Sequence, residues 1–182
     1  NSRSLKKKLV ESGSIFQTTS DTEVILQLVA RSKKNKLLEK LIDALRQIQG
    51  AYSLVILTNK KLIGVKDPYG IRPLVLGEKN GFHVLASETC ALDMIGAKYT
   101  RDVENGEIVI ITDEGVESIK PFKKLQERPC IFERIYFASP ESIIGGKTVY
   151  TYRKELGKQL ALENKLNADV VVPIPDSGVS AA

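Results

Sequence analysis

The hydrophobic period of the chain changes at Gly50, and that change limits the possible architecture more than any other feature. Before it, Val24, Ile25, Leu28 and Val29, then Leu37, Leu38, Leu41, Ile42, Leu45 and Ile48, recur at the spacing of amphipathic helices. Gly50 is a natural helix stop. Ser20-Asp21-Thr22-Glu23 has the capping-box form, in which the serine oxygen accepts from the N–H three residues on and the glutamate reaches back. The spacing predicts a helical pair that starts there and ends at residue 50.

From Ala51 the pattern is that of strands. Tyr52, Leu54 and Ile56, then Leu62, Ile63 and Val65, flank Asn59-Lys60 and suit a hairpin. Gly77 to Gly81 supports a second turn, between Leu74-Val75-Leu76 and His83-Val84-Leu85. Glu88 to Ile95 reads as a short helix with Ala91, Leu92 and Ile95 inward, capped by Ser87. Glu107 to Thr112 and Val116 to Ile119 flank Asp113-Glu114-Gly115 as a further hairpin. Antiparallel strands with segregated helices make this an α+β pattern.

Pro121 to Pro129 turns polar and basic, with Lys123, Lys124, Gln126, Glu127 and Arg128, and is the expected domain junction. Beyond it, Ile131 to Ala138 reads as a strand and Val149 to Leu166 as a long amphipathic helix. Ala168 to Pro175 reads as an almost wholly apolar strand of the kind buried in parallel sheets. The organisation expected is one domain over 1–125 and the opening of an α/β domain over 126–182.

Composition narrows the function classes. At 182 residues and 42% hydrophobic the chain can bury a core, and no run approaches the roughly 20 apolar residues of a membrane span. The net charge of +5 arises from 27 basic and 22 acidic residues that are interspersed. Lys6-Lys7-Lys8 and the Arg31 to Lys36 stretch lack interleaved aromatics, so they read as solvated helix faces rather than a nucleic-acid site. Two cysteines without CxxC spacing fit a reducing, cytoplasmic setting. The start at Asn1 and the stop at Ser180-Ala181-Ala182, directly after a strand and turn, read as cut ends.

Seven strings occur in order: SDTEVI (20–25), GAYSLVIL (50–57), KDPYGIRPLVLG (66–77), ASETCALD (86–93), GEIVIIT (106–112), CIFERIYFASPES (130–142) and VVPIPDSG (171–178). Together they resemble the amidophosphoribosyltransferases over nearly the whole chain, the third and sixth being the most specific. The resemblance implies the C-terminal half of an α+β N-terminal-nucleophile glutaminase sandwich, followed by the start of an α/β type I phosphoribosyltransferase domain. It implies that a glutaminase releases ammonia from glutamine and that a phosphoribosyltransferase uses it to displace pyrophosphate from phosphoribosyl pyrophosphate. Mg2+, homo-oligomers and feedback by purine nucleotides are the family's companions, with no nucleic acid and no membrane as partners.

By the same resemblance Asp21 is the glutamine-binding aspartate, its carboxylate pairing with the substrate ammonium; from the residues alone it is a first-turn carboxylate favouring the helix's positive end. Asp176, Ser177 and Gly178, in a turn after a strand, are implied contacts of the pyrophosphate region, or an ordinary β-to-α turn. Cys130 matches a cysteine that in some members is one of four ligands of a 4Fe–4S cluster; a buried apolar thiol is the other reading. The loop Asp67 to Pro73 is stiffened by two prolines, and Arg72 is read there as the partner of Asp67 or of another carboxylate. Cys90 and His83 carry no catalytic expectation.

The family's cysteine nucleophile with its own amine, the oxyanion residues and the phosphoribosyl pyrophosphate motif have no match in this sequence. The isolated chain is therefore expected to perform neither half-reaction. The competing readings are another glutamine amidotransferase of the glucosamine-6-phosphate synthase type and a non-catalytic phosphate- or nucleotide-binding module.

Overall fold

Helical periodicity and strand alternation produce two units, Asn1–Ala51 and Tyr52–Ala182. The computed structural model describes residues 1–123 and 125–182; Lys124, part of the expected junction, lies outside the described residues.

The first unit holds α1 (Ser2–Glu11), α2 (Thr22–Arg31) and α3 (Leu37–Leu45). Leu9, Val24, Leu28 and Ala44 form its core, with Leu5, Phe16, Val29 and Ile48 packed around them. The basic run is an outer helix face as expected: Lys7 and Lys8 are exposed, and Lys6 lies 4.6 Å over the Phe16 ring. The capping box is not formed. Ser20 Oγ accepts from Thr22 N (3.3 Å), and Glu23 accepts from Gln17 N, Thr18 N and Thr18 Oγ1 at 2.8, 2.8 and 2.6 Å. Two N–H groups and a hydroxyl in the preceding turn satisfy both carboxylate oxygens, where a capping box would supply one donor.

In the second unit, β1 (Ser53–Leu57), β2 (Leu62–Lys66), β6 (Ile108–Thr112) and β7 (Gly115–Ile119) form an antiparallel sheet in the order β1-β2-β6-β7. β3 (Val75–Lys79), β4 (Phe82–Ala86) and β5 (Lys98–Asp102) form a second, ordered β4-β3-β5. The β3–β4 turn uses Asn80 and Gly81 at φ 52° and 83°, the paired positive angles of a tight hairpin. Leu74, Leu76 and Leu85 from the second sheet's side meet Val109, Ile111 and Val116 from the first. On the other face of β3 and β4, Val75, Val84 and Ala86 pack with Leu92 of α4 (Thr89–Met94). Gly77 permits this approach, since a Cβ there would lie 2.8 Å from the Leu92 methyls. The result is mixed α/β with antiparallel sheets, in agreement with the α+β expectation.

Several expectations are corrected. Ile131 to Ala138 is a helical segment, with a π-helical turn Glu133–Phe137 closed by Ala138 N to Glu133 O at 3.0 Å. Among the described residues it has no strand partner, while Glu133 and Phe137, four residues apart, both bear on Arg72. Ala168 to Pro175 forms no strand either; among the described residues nothing pairs with it, and Val172 and Ile174 are 81% and 83% exposed. Strand β5 had no alternating signal, because its KYTRD sequence is mostly solvent-exposed. Ile95, expected inward, is 46% exposed. A two-residue ribbon, β8 (Ile143–Ile144) with β9 (Lys147–Thr148), precedes α5 (Val149–Glu163). Thr148 caps α5 through Thr151 N at 3.2 Å.

Candidate functional site

In the first unit, Asp21 is the N-cap of α2 yet makes no side-chain cap bond. The loop before it is pinned by Glu23, and Thr18 Oγ1 accepts from Ser20 N at 3.2 Å. Those bonds hold Ser20 and Thr22, leaving an exposed carboxylate at the head of a helix without an internal hydrogen bond among the described residues. Such a group is available to a ligand cation. The hydrogen bonds of Glu23 hold its carboxyl below the usual range, that to Thr18 Oγ1 most of all.

In the second unit the two most specific strings form one interlock. Buried Asp67 accepts from Tyr69 N (2.9 Å) and Ile71 N (3.1 Å), which rigidifies the loop between Pro68 and Pro73. Gly70, at φ 64°, lies against Asn105, whose side chain a Cβ would strike. The loop's carbonyls receive the incoming chain: Arg128 N bonds Tyr69 O at 2.8 Å and Cys130 N bonds Ile71 O at 2.9 Å. Arg72 does not pair with Asp67. Its Nε lies 2.7 Å from Glu133 Oε1, outside hydrogen-bond alignment, and its guanidinium stacks 4.5 Å from the Phe137 ring.

A second set of bonds fastens the chain from Ser139 onward. Glu88 accepts from Ser139 N (2.7 Å) and Ser142 Oγ (2.9 Å), and Thr89 Oγ1 accepts from Ile143 N (2.9 Å). Ser87, expected to cap α4, makes no such bond; the cap position is Glu88, whose carboxylate is drawn to the 139–142 turn by two donors. Buried Arg153 of α5 donates to Arg134 O (2.9 Å) and Ala138 O (2.8 Å), the carbonyl end of the helical segment. Between these fastenings lies a cavity of about 90 Å³, lined among others by Lys66, Glu88, Asp102, Cys130 and Glu133. Burial pushes the Glu133 carboxyl above its usual range; Arg72 opposes the rise and Glu88 adds to it.

Asp176 is exposed in a turn where Gly178 N bonds Ile174 O at 3.1 Å, and Ser177 is half-buried. Cys130 is half-buried, and among the described residues no three His, Cys, Asp or Glu side chains gather to hold a metal. These residues alone do not fit an iron–sulfur cluster. Cys90 Sγ lies 3.6 Å from Glu88 Oε2, and His83 Nδ1 is buried without a partner among the described residues. Glu133, Arg153 and the acceptor role of Glu88 had no local signal, since each bond joins residues far apart in sequence. The one trace was that Glu88 and Glu133 both fall within the quoted strings, while Arg153 falls in none of them.

The family described as glutamine amidotransferase domain matches residues 1–94. The chain is 52% identical over 187 aligned positions to the amidophosphoribosyltransferase of Rhizobium etli, covering 100% of this chain and 38% of that protein. It is 50% identical over 184 positions to a chloroplastic amidophosphoribosyltransferase of Glycine max, covering 100% and 32%. Among solved structures it is similar to the B. subtilis glutamine phosphoribosylpyrophosphate amidotransferase complexed with ADP and GMP, at a TM-score of 0.96 and 46% identity, over 100% of this chain and 40% of that one. The chain thus spans less than two fifths of the length of these two curated relatives.

Proposed function

We infer that the chain, a member of the glutamine amidotransferase domain family, belongs within it to the amidophosphoribosyltransferases. From that premise we propose that the protein it forms part of makes 5-phosphoribosylamine from phosphoribosyl pyrophosphate and glutamine, opening purine synthesis. The observation that carries this reading is that the likeness covers 100% of the chain, the stretch after residue 125 included. An isomerase-type amidotransferase would share only the first part. Residues 1–125 belong to the glutaminase domain, and residues 126–182 open the phosphoribosyltransferase domain.

Asp21 takes the glutamine α-ammonium as a charge-assisted partner, which its exposed carboxylate allows. Hydrolysis of the side-chain amide then yields glutamate and ammonia, and ammonia displaces pyrophosphate from the sugar carbon. Asp176 and Ser177 offer polar groups to the pyrophosphate region. The chain by itself performs neither half-reaction. Purine nucleotides are its regulators, in keeping with the ADP and GMP of the B. subtilis relative; Mg2+, a homo-oligomeric state and a cytoplasmic setting complete the reading. Among the described residues no helix is long and apolar enough to cross a membrane.

The test is pyrophosphate release by the complete protein, supplied with glutamine or with ammonia, before and after Asp21→Ala. Loss of glutamine-dependent release alone, by about 100-fold, is expected for a lost charge-assisted contact. Absence of release by the unaltered protein with either nitrogen source would refute the reading.

A further inference from the structure

Arg72 stands where the rigid loop meets the chain that leaves it. We propose that Arg72 is a positioning residue that keeps ammonia release and ammonia use in step, by holding the 131–137 helical segment through Glu133 and Phe137. The inference rests on the function proposed above.

The loop is rigid independently of Arg72, because Asp67 and the two prolines set it. Arg72 therefore has a fixed base. Its planar group meets two side chains one turn apart, a carboxylate at 2.7 Å and a ring face at 4.5 Å, so it sets both the height and the rotation of the segment. A lysine would keep the charge and lose the plane. The segment's carbonyl end is held by Arg153.

Energetics point the same way. Burial pushes the Glu133 carboxyl up and Arg72 only partly opposes the rise, since desolvating a carboxylate offsets much of what its ion pair gains. Arg72 is 40% exposed in its side chain and further screened by water. What the contact supplies is orientation: Arg72 lies in residues assigned to the glutaminase part and the segment in residues assigned to the phosphoribosyl part, so the contact fixes how the segment meets the loop.

The experiment uses the complete protein and counts glutamate formed against pyrophosphate released, with glutamine as nitrogen source. The unaltered protein is expected to form about one glutamate per pyrophosphate, and Arg72→Met about threefold more glutamate than pyrophosphate, with ammonia-supported release within about twofold of normal. Arg72→Lys should fall between, and Glu133→Gln, which keeps the shape of the site, should uncouple in the same direction. Equal stoichiometry in Arg72→Met and Glu133→Gln, or a parallel fall of both nitrogen sources, overturns the proposal. If the unaltered protein releases no pyrophosphate from either source, the functional reading itself fails.

Discussion

Replacing Arg153 by methionine keeps most of the buried stem and removes the two bonds that hold the carbonyl end of the 131–137 segment. A hydrogen bond with a charged partner contributes about 1.5–3 kcal/mol. The bond to Ala138 O is buried and is taken near the top of that range; the bond to Arg134 O is half-buried and taken near the bottom. Loss of both, with partial rehydration of the carbonyls, should cost about 3 kcal/mol locally, or about 100-fold in the opening equilibrium. Hydrogen exchange on the complete protein reads this directly. The amides of Ala138 and Ser142 are bonded within residues 133–142, and Tyr150 N bonds Pro140 O at 2.8 Å. Their exchange should accelerate together by about that factor, whereas amides of β2 and β6 should be unaffected. Arg153→Lys, with one reach instead of two, should fall between. Acceleration below about threefold in Arg153→Met would refute the view that these carbonyls depend on the guanidinium.

Two further outcomes concern the second unit. Burial acts to raise the Glu107 carboxyl, but the Arg101 fork (2.9 and 2.7 Å), Glu104 N (2.6 Å) and Ser118 together hold it below the usual range. Because the folded state then binds this proton less tightly than the unfolded chain, the stabilisation is present above the ordinary carboxyl value near 4.5 and fades as pH falls through the lower folded value. Glu107→Gln should cost about 2–4 kcal/mol at neutral pH, and its deficit in melting temperature should shrink in acid; a pH-independent gap would contradict this. Gly77→Ala places a Cβ 2.8 Å from the Leu92 methyls and 3.0 Å from Lys98 O, so denaturant melts should show a loss of about 1–3 kcal/mol, and an unchanged midpoint would contradict the close packing.

What was legible in the sequence was what is decided locally. The β1–β2, β3–β4 and β6–β7 hairpins follow from alternating apolar residues around short polar or glycine turns, and α2 and α3 from their stripes. The segment 131–137 was misread because its apolar residues fit a strand pattern, while its conformation is set by Arg72 and Arg153, far away in sequence. Val170 to Ile174 was misread for a related reason: β propensity selects a strand only when a ladder partner is present. At Ser20 to Glu23 the string suggested a capping box that is not formed, since Glu23 found better donors at Gln17 and Thr18. The Glu88 contacts had no spacing rule that would have joined residue 88 to residue 142.

The strap from Arg128 to Arg153 also bears on how such a protein can be divided or recombined. A scission at residue 125, where composition changes, would take the donors away from Tyr69 O, Ile71 O and the Glu88 carboxylate, and would open the 90 Å³ cavity to solvent. Both halves would then expose unpaired groups that had been shielded. A module that carries its own strap must instead be severed after α5 begins, beyond Arg153. Grafts joined at residue 125 therefore carry about two dozen residues whose attachments lie on the other side of the cut.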